Sequence, residues 1–331
     1  MRYRIITFVL LLIFGNHPFA YSESSAENNS ISIQPMRKMC KFSYGERERS
    51  YFLYIPSTRS KLTSLPLLIA LHGGGGSAKE WPRYTNNGFE SLAEKESFIL
   101  VYPEGLEGQW NDRRNFPTSY AHTNNIDDVG FLASLIDYLV NKYPIDKDRV
   151  YVTGASNGGM MAHYLAANAA DRIAAIATVI AAIPKNLSGK LKPSQPVSLL
   201  MINGTEDPLV PWNGGVVKFG RQINGYVMSV DDTIKFWVEH NKCNSEPEVT
   251  NLPDLSRRDG TTVSRAVHSG GKQNTEVVLY TIFGGGHTWP ARKDKRGLLK
   301  KAVLNRLVGK KSMDIDACEV IWDFFKTHYR R

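Results

Sequence analysis

Three residues of this chain have the side-chain types that nucleophilic acyl transfer needs, and each stands just beyond an apolar run. Ser156 lies in Gly154-Ala155-Ser156-Asn157-Gly158, directly after Val150-Tyr151-Val152-Thr153. A serine framed by glycines between a strand and a helix is a nucleophile-elbow pattern: the turn is too tight for large flanking side chains, and it lifts the hydroxyl above the sheet. Asp207, in Asn203-Gly204-Thr205-Glu206-Asp207-Pro208, follows the run Val197–Ile202, and His287, in Gly284-Gly285-Gly286-His287-Thr288-Trp289-Pro290, follows Glu276–Ile282. A serine hydroxyl is a weak nucleophile near neutrality, so a histidine must take its proton during attack and return it to the leaving group, while a carboxylate fixes the imidazole tautomer. The residue types leave Glu206 and Asp207 both open as that carboxylate. Pro208 fixes the turn beside Asp207 and favours it.

The oxyanion of a tetrahedral intermediate needs backbone N–H donors. The residue after the serine, Asn157, is one candidate, and Gly74 is the other, from the loop Gly73-Gly74-Gly75-Gly76 that ends the run Leu65–Leu71. Trp110 and Trp289 are expected near the same face, as pocket lining or as packing. Asp128 is expected to tie loops together by hydrogen bonds, since a second buried acid needs partners of its own. His72, His163 and His240 have no metal-ligand spacing, and no phosphate-binding loop occurs, so neither a metal nor a cofactor is implied.

The elements that must position these groups alternate between strands and helices. Leu65–Leu71 is apolar on both faces, as a buried parallel strand must be. Phe98–Tyr102, Arg149–Thr153, Ile173–Ile183, Val197–Ile202 and Glu276–Ile282 read as further strands, with Arg49–Ile55 alternating ahead of them; Val129–Tyr143, Val230–Asn241 and Ile315–His328 have helical spacing. This order predicts an α/β fold: a mainly parallel, doubly wound sheet with helices on both faces and the chemistry at the carboxyl ends of the strands.

The formal net charge of +9 invites a nucleic-acid reading that its distribution argues against. Arg292, Lys293, Lys295, Arg296, Lys300, Lys301, Arg306, Lys310 and Lys311 stand against Asp294 alone, so nearly all of the excess lies between residues 291 and 311. A solvated basic loop or helix is expected there, able to contact anionic surfaces. Arg2, Arg4 and the apolar run Ile5–Phe14 read as a signal peptide over residues 1–20, followed by a flexible polar segment at 21–36 and a single catalytic domain at 37–331. Export to the periplasm or the medium follows from that reading, with no stable membrane insertion after cleavage, because so short a run falls below the ~20 residues of a spanning helix. Three cysteines, Cys40, Cys243 and Cys318, are too few for a disulfide scaffold but could form one bridge.

The serine, aspartate and histidine come in the chain order used by α/β-hydrolases. Together with Leu71-His72-Gly73-Gly74-Gly75-Gly76, Tyr102-Pro103-Glu104-Gly105, Trp110-Asn111, Asp127-Asp128-Val129-Gly130-Phe131 and Gly154–Met160, they make the chain resemble the polyhydroxybutyrate depolymerase-like esterases of the α/β-hydrolase superfamily, relatives of feruloyl and acetylxylan esterases. The resemblance spans residue 45 to the end. It implies the α/β-hydrolase fold and ester hydrolysis, with Ser156 as nucleophile, Asp207 as acid and His287 as base. It leaves hydroxyalkanoate polyester or oligomers, and acetyl or feruloyl esters on plant polysaccharide, as compatible substrates. Two departures stand out: the basic stretch beside the histidine loop, and no visible substrate-binding module. A serine peptidase with a gating domain does not fit this length, and a catalytically idle binding protein would have no need of the complete triad.

Overall fold

The computed structural model describes residues 34–58, 64–292 and 298–330. The expected signal peptide and most of the polar segment after it therefore lie outside the described residues. A ten-stranded sheet runs in the order β1-β2-β4-β3-β5-β6-β7-β12-β11-β10. Its strands are β1 (Met36–Tyr44), β2 (Arg47–Ile55), β3 (Leu65–Leu71), β4 (Ile99–Pro103), β5 (Ile145–Ala155), β6 (Ala175–Val179), β7 (Ser198–Gly204), β10 (Glu248–Asn251), β11 (Thr262–His268) and β12 (Val277–Phe283). From β4 through β3, β5, β6 and β7 to β12 every pairing is parallel, whereas β1, β2, β10 and β11 join antiparallel at the two edges. A separate hairpin, β8 (Gly215–Phe219) and β9 (Gln222–Val227), follows β7.

The apolar runs split by strand periodicity, since successive side chains point to opposite faces. Leu65, Leu67, Ile69 and Leu71 of β3 face one core; Leu68 and Ala70 face the other. The first core is covered by α2 (Asp128–Lys142), α3 (Asn157–Asn168) and α4 (Val230–Asn241) through Phe131, Leu135, Leu139, Leu165, Ile234 and Trp237. The second is covered by α1 (Gly88–Glu96) and α6 (Ala317–Phe325) through Phe89, Ala93, Ile321 and Phe325. Helices α2, α4 and α6 begin on side-chain caps that satisfy first-turn N–H groups: Asp127 accepts from Gly130 N, Ser229 from Asp232 N, and Asp316 from Cys318 N and Glu319 N.

The sheet has two unlike ends. The carboxyl ends of β3, β5, β7 and β12 carry the glycine loop, Ser156, Asp207 and His287. The segment 328–330 returns to the other side, where Arg330 N donates to Asp148 O at 2.8 Å and the Tyr151 hydroxyl donates to His328 O at 2.6 Å. The disulfide envisaged from composition is not formed. Among the described residues all three cysteines are free, with Cys40 on β1, Cys243 just after α4 and Cys318 buried in α6.

Candidate active site

Ser156 sits between β5 and α3 with φ +52° and ψ −119°. A non-glycine residue held there costs on the order of 1–3 kcal/mol, tolerated only where the surroundings fix the backbone. Steric closure does the fixing. A Cβ on Gly154 would lie 2.5 Å from the Gly158 carbonyl, and one on Gly158 would lie 2.5 Å from the carbonyl oxygens of Leu71 and His72. The glycines thus let β5, α3 and the end of β3 pack backbone to backbone. Ser156 N donates to Val179 O of the neighbouring β6 at 2.9 Å, anchoring the turn to the sheet.

His287 and Asp207 meet across the ends of β12 and β7. The ring Nδ1 lies 2.7 Å from Asp207 Oδ2, while Asp207 Oδ1 accepts from Leu209 N at 2.8 Å and Val210 N at 2.9 Å. Both carboxylate oxygens are therefore occupied, which directs Nδ1–H toward Oδ2 and leaves Nε2 as the basic nitrogen. Asp207 is buried and Glu206 is exposed, its backbone N–H donating to Gly285 O at 2.9 Å. That bond closes the aspartate loop onto the histidine loop. From the other side His287 N donates to Val308 O at 2.5 Å and Gly286 N to Lys310 O at 2.9 Å.

The glycine loop after β3 reaches the elbow. A Cβ on Gly73 would lie 3.8 Å from Ser156 Cβ. Gly75 N and Gly76 N donate to Gly108 O and Gly73 O, which leaves the N–H groups of Gly73 and Gly74 as the loop's candidates for an oxyanion. The N–H of Asn157 belongs to the first turn of α3, where no intrahelical acceptor exists. His72 braces the loop: its Nδ1 lies 2.8 Å from Gly73 O and its Nε2 accepts from Gly105 N at 2.9 Å. Burial lowers its pKa to about 4, so the ring is neutral at pH 7 with the proton on Nδ1.

Behind the elbow lies a buried polar cluster that sequence reasoning missed. The Asn157 side chain accepts from Trp110 N at 2.8 Å and donates to Trp110 O at 3.0 Å and Asp112 Oδ2 at 2.7 Å. Asp112 also receives Arg114 Nη1 at 2.8 Å and lies 3.0 Å from His122 Nε2. Burial pushes the Asp112 carboxyl up, but Arg114 and His122 outweigh it and hold it below the usual range. A second buried pair, Arg49 Nη2 with Asp128 Oδ1 at 2.7 Å, holds the same loop, because Asp128 Oδ2 accepts from Asn111 N at 2.8 Å. Asp128 thus ties loops together as its position in the sequence suggested. The signal for Asp112, Arg114 and His122 is faint, since their partner Asn157 lies far along the chain.

The pocket-lining alternative for the two tryptophans gives way to packing. Trp110 is 0% exposed, and its indole N–H donates to His72 O at 3.0 Å. Trp289 is 4% exposed, edge-on to Trp81 with ring centroids 5.7 Å apart and to Phe89 at 6.0 Å. Both stiffen the loops beside Ser156 and His287. The hairpin instead approaches the site, with Val217 and Val227 packing on Met160 of α3 and on Val210 beside Asp207.

Comparison with known proteins agrees with this geometry. A family model described as the alpha/beta hydrolase fold matches residues 66–187. A protein named as an esterase, NocK, of Nocardia uniformis subsp. tsuyamanensis is 31% identical over 74% of this chain and 71% of its own length. Feruloyl esterase B of Piromyces equi is 30% identical over 72% of this chain, which spans only 42% of that longer protein. Among solved structures, the acetyl xylan esterase from Aspergillus awamori superposes with a TM-score of 0.53 at 16% identity, over 76% of this chain and 94% of that one. On this evidence the chain belongs to the α/β-hydrolase esterases, serine enzymes that hydrolyse carboxylic esters.

Proposed function

We propose that this esterase works through an acyl-enzyme on Ser156 and removes feruloyl or acetyl groups esterified to plant polysaccharide. His287 Nε2 takes the Ser156 proton as the hydroxyl attacks the ester carbonyl, and the Asp207 carboxylate holds the imidazolium that forms. The N–H groups of Asn157 and Gly74 receive the oxyanion. His287 then protonates the departing alkoxide, which leaves as the sugar alcohol. Water deprotonated by the same imidazole attacks the acyl-enzyme, and its collapse releases the carboxylic acid and restores Ser156.

The observation that carries this reading is the 2.7 Å contact of His287 Nδ1 with Asp207, at the carboxyl ends of β12 and β7, with only β6 between them and the strained serine at the end of β5. The choice of acyl group is supported by the relative from Piromyces equi, named for feruloyl ester hydrolysis. A hydroxyalkanoate polyester rests on the resemblance of motifs alone and is the second reading. Export of the enzyme, read from residues 1–20, suits a polymeric substrate that cannot enter a cell.

The test is a panel of methyl ferulate, acetylated xylan and hydroxybutyrate oligomers, run beside Ser156→Ala. The wild type should turn over a ferulate or acetyl ester in preference to the oligomers. Ser156→Ala should lose roughly 10³-fold or more of kcat and all labelling by a fluorophosphonate. Undiminished turnover in that variant would refute the acyl-enzyme, while preference for the oligomers would overturn only the substrate.

A further inference from the structure

Part of the basic segment, residues 298–308, forms a helix that ends against the histidine loop. In α5 (Leu298–Val308), Leu304 is buried while Val303 and Leu307, four residues apart and so on one helical face, are 56% and 40% exposed. Arg306 is exposed beside them. A second segment joins this surface. The loop 252–261 is stapled to the chain just after α5 by Lys310 Nζ on Gly260 O at 3.3 Å, Met313 N on Asp259 Oδ2 at 2.8 Å and Ser256 N on Asp314 Oδ1 at 3.0 Å. It presents Leu255, 65% exposed, next to exposed Arg257 and Arg258, with exposed Asp254 and buried Asp259 as the opposing charges.

We propose that this surface is a docking site for an anionic lipid bilayer. Two features of its chemistry select that occupant. Nearly all of the chain's excess positive charge falls within residues 291–311, the stretch of sequence that contains α5, and each Lys or Arg close to an anionic bilayer strengthens binding by roughly fivefold. The apolar side chains among the cations are aliphatic, suited to the acyl boundary of a membrane interface. A single-stranded nucleic acid would need aromatic stacking platforms, and α5 carries no aromatic residue. Because His287 N and Gly286 N bond to Val308 O and Lys310 O, the docking surface is continuous with the active-site loop. A bound bilayer would therefore lie beside the site, without any residue of the triad taking part in binding.

The experiment is sedimentation of the full chain with vesicles of equal parts phosphatidylglycerol and phosphatidylcholine, against vesicles of phosphatidylcholine alone. The protein should sediment with the first and not the second. Combining Arg257→Gln, Arg258→Gln and Arg306→Gln should weaken the partition by roughly a hundredfold, following the per-charge factor. Val303→Asp with Leu307→Asp should weaken it by about tenfold or more. Both variants should keep the wild-type melting curve and turnover of a small soluble ester. If the aspartate pair fails to fold, the arginine variant, altered only at exposed positions, decides the question. Equal sedimentation with both vesicle types, insensitivity to the arginine changes, or retention by polygalacturonate or duplex DNA with none by vesicles would overturn the proposal. Ser156→Ala should bind vesicles like the wild type, so failure of the esterase mechanism and failure of docking are read separately.

Discussion

The serine side and the histidine side of the site are built by different means. Ser156 is enclosed by backbone packed on backbone, with the Asp112–Arg114–His122 cluster and the Arg49–Asp128 pair buried behind it. His287 hangs on a glycine loop held by backbone hydrogen bonds to residues 308 and 310, and the Arg292–Glu319 ion pair that follows the loop is half exposed on both partners. In the proposed mechanism the strained serine needs a rigid frame because it must sit at one point. The imidazole would need only its Asp207 contact and a fixed backbone anchor, since in that mechanism it serves two oxygens in turn.

The sharpest break should come from Asp207→Asn, which preserves shape but reverses the favoured tautomer of His287: kcat should fall by roughly 10³–10⁴ while the melting temperature barely moves. A loss below tenfold would mean that another group orients the imidazole. On the serine side, Asp112→Ala strands Arg114 in the interior and should cost about 3–5 kcal/mol of stability, read from urea unfolding. A cost near zero would show that this frame tolerates an unpaired charge.

Acid should expose a further contrast. His72 and His163 are both fully buried, and burial lowers their pKa values to about 4 and about 3. A folded-state pKa below the unfolded value near 6.5 means that the unfolded chain binds the proton more readily, so stability is present above about 6.5 and is lost as pH falls. For His72 alone the loss on reaching about pH 4 approaches 3 kcal/mol. Urea midpoints between pH 7 and 4 should therefore decline, and less steeply in His163→Gln; identical slopes would remove the buried-histidine explanation. Gly286→Ala would bring a methyl group to 2.3 Å from Val308 O, displacing the histidine loop. Activity should drop on the order of 100-fold, given the sensitivity of such reactions to misplacement of about an ångström. Smallest of all, Arg292→Ala should change stability by less than about 1 kcal/mol, because its ion pair is solvated. A larger loss would move the histidine side toward the buried design of its counterpart.

Much of this was legible in the sequence, for a physical reason. Strands β3, β7 and β12 are paired in parallel on both sides, or covered on both faces, so they appear as unbroken apolar runs, and in a parallel sheet function collects where those runs stop. That rule, together with the glycine-framed elbow, marks Ser156, Asp207 and His287 as candidates and leaves Glu206 open beside Asp207. The edges escape it. In β1 exposed positions mix with half-buried ones and none is fully buried, and all of β10 is exposed, so neither carries the apolar run that marks an inner strand. Ile173–Ile183 reads as one strand, yet only Ala175–Val179 pairs; the rest is buried by packing. The Asp112 cluster was invisible because tertiary structure alone brings Asn157 to it, and a charged triplet in a polar stretch ordinarily marks a solvated loop.

The return of residues 328–330 to the amino-terminal ends of the strands has a practical corollary. Bonded to Asp148 and facing away from Ser156, this stretch offers a natural point of attachment. A molecule immobilised through this face on a bead or an electrode would present the loops around Ser156 outward, with α5 left uncovered.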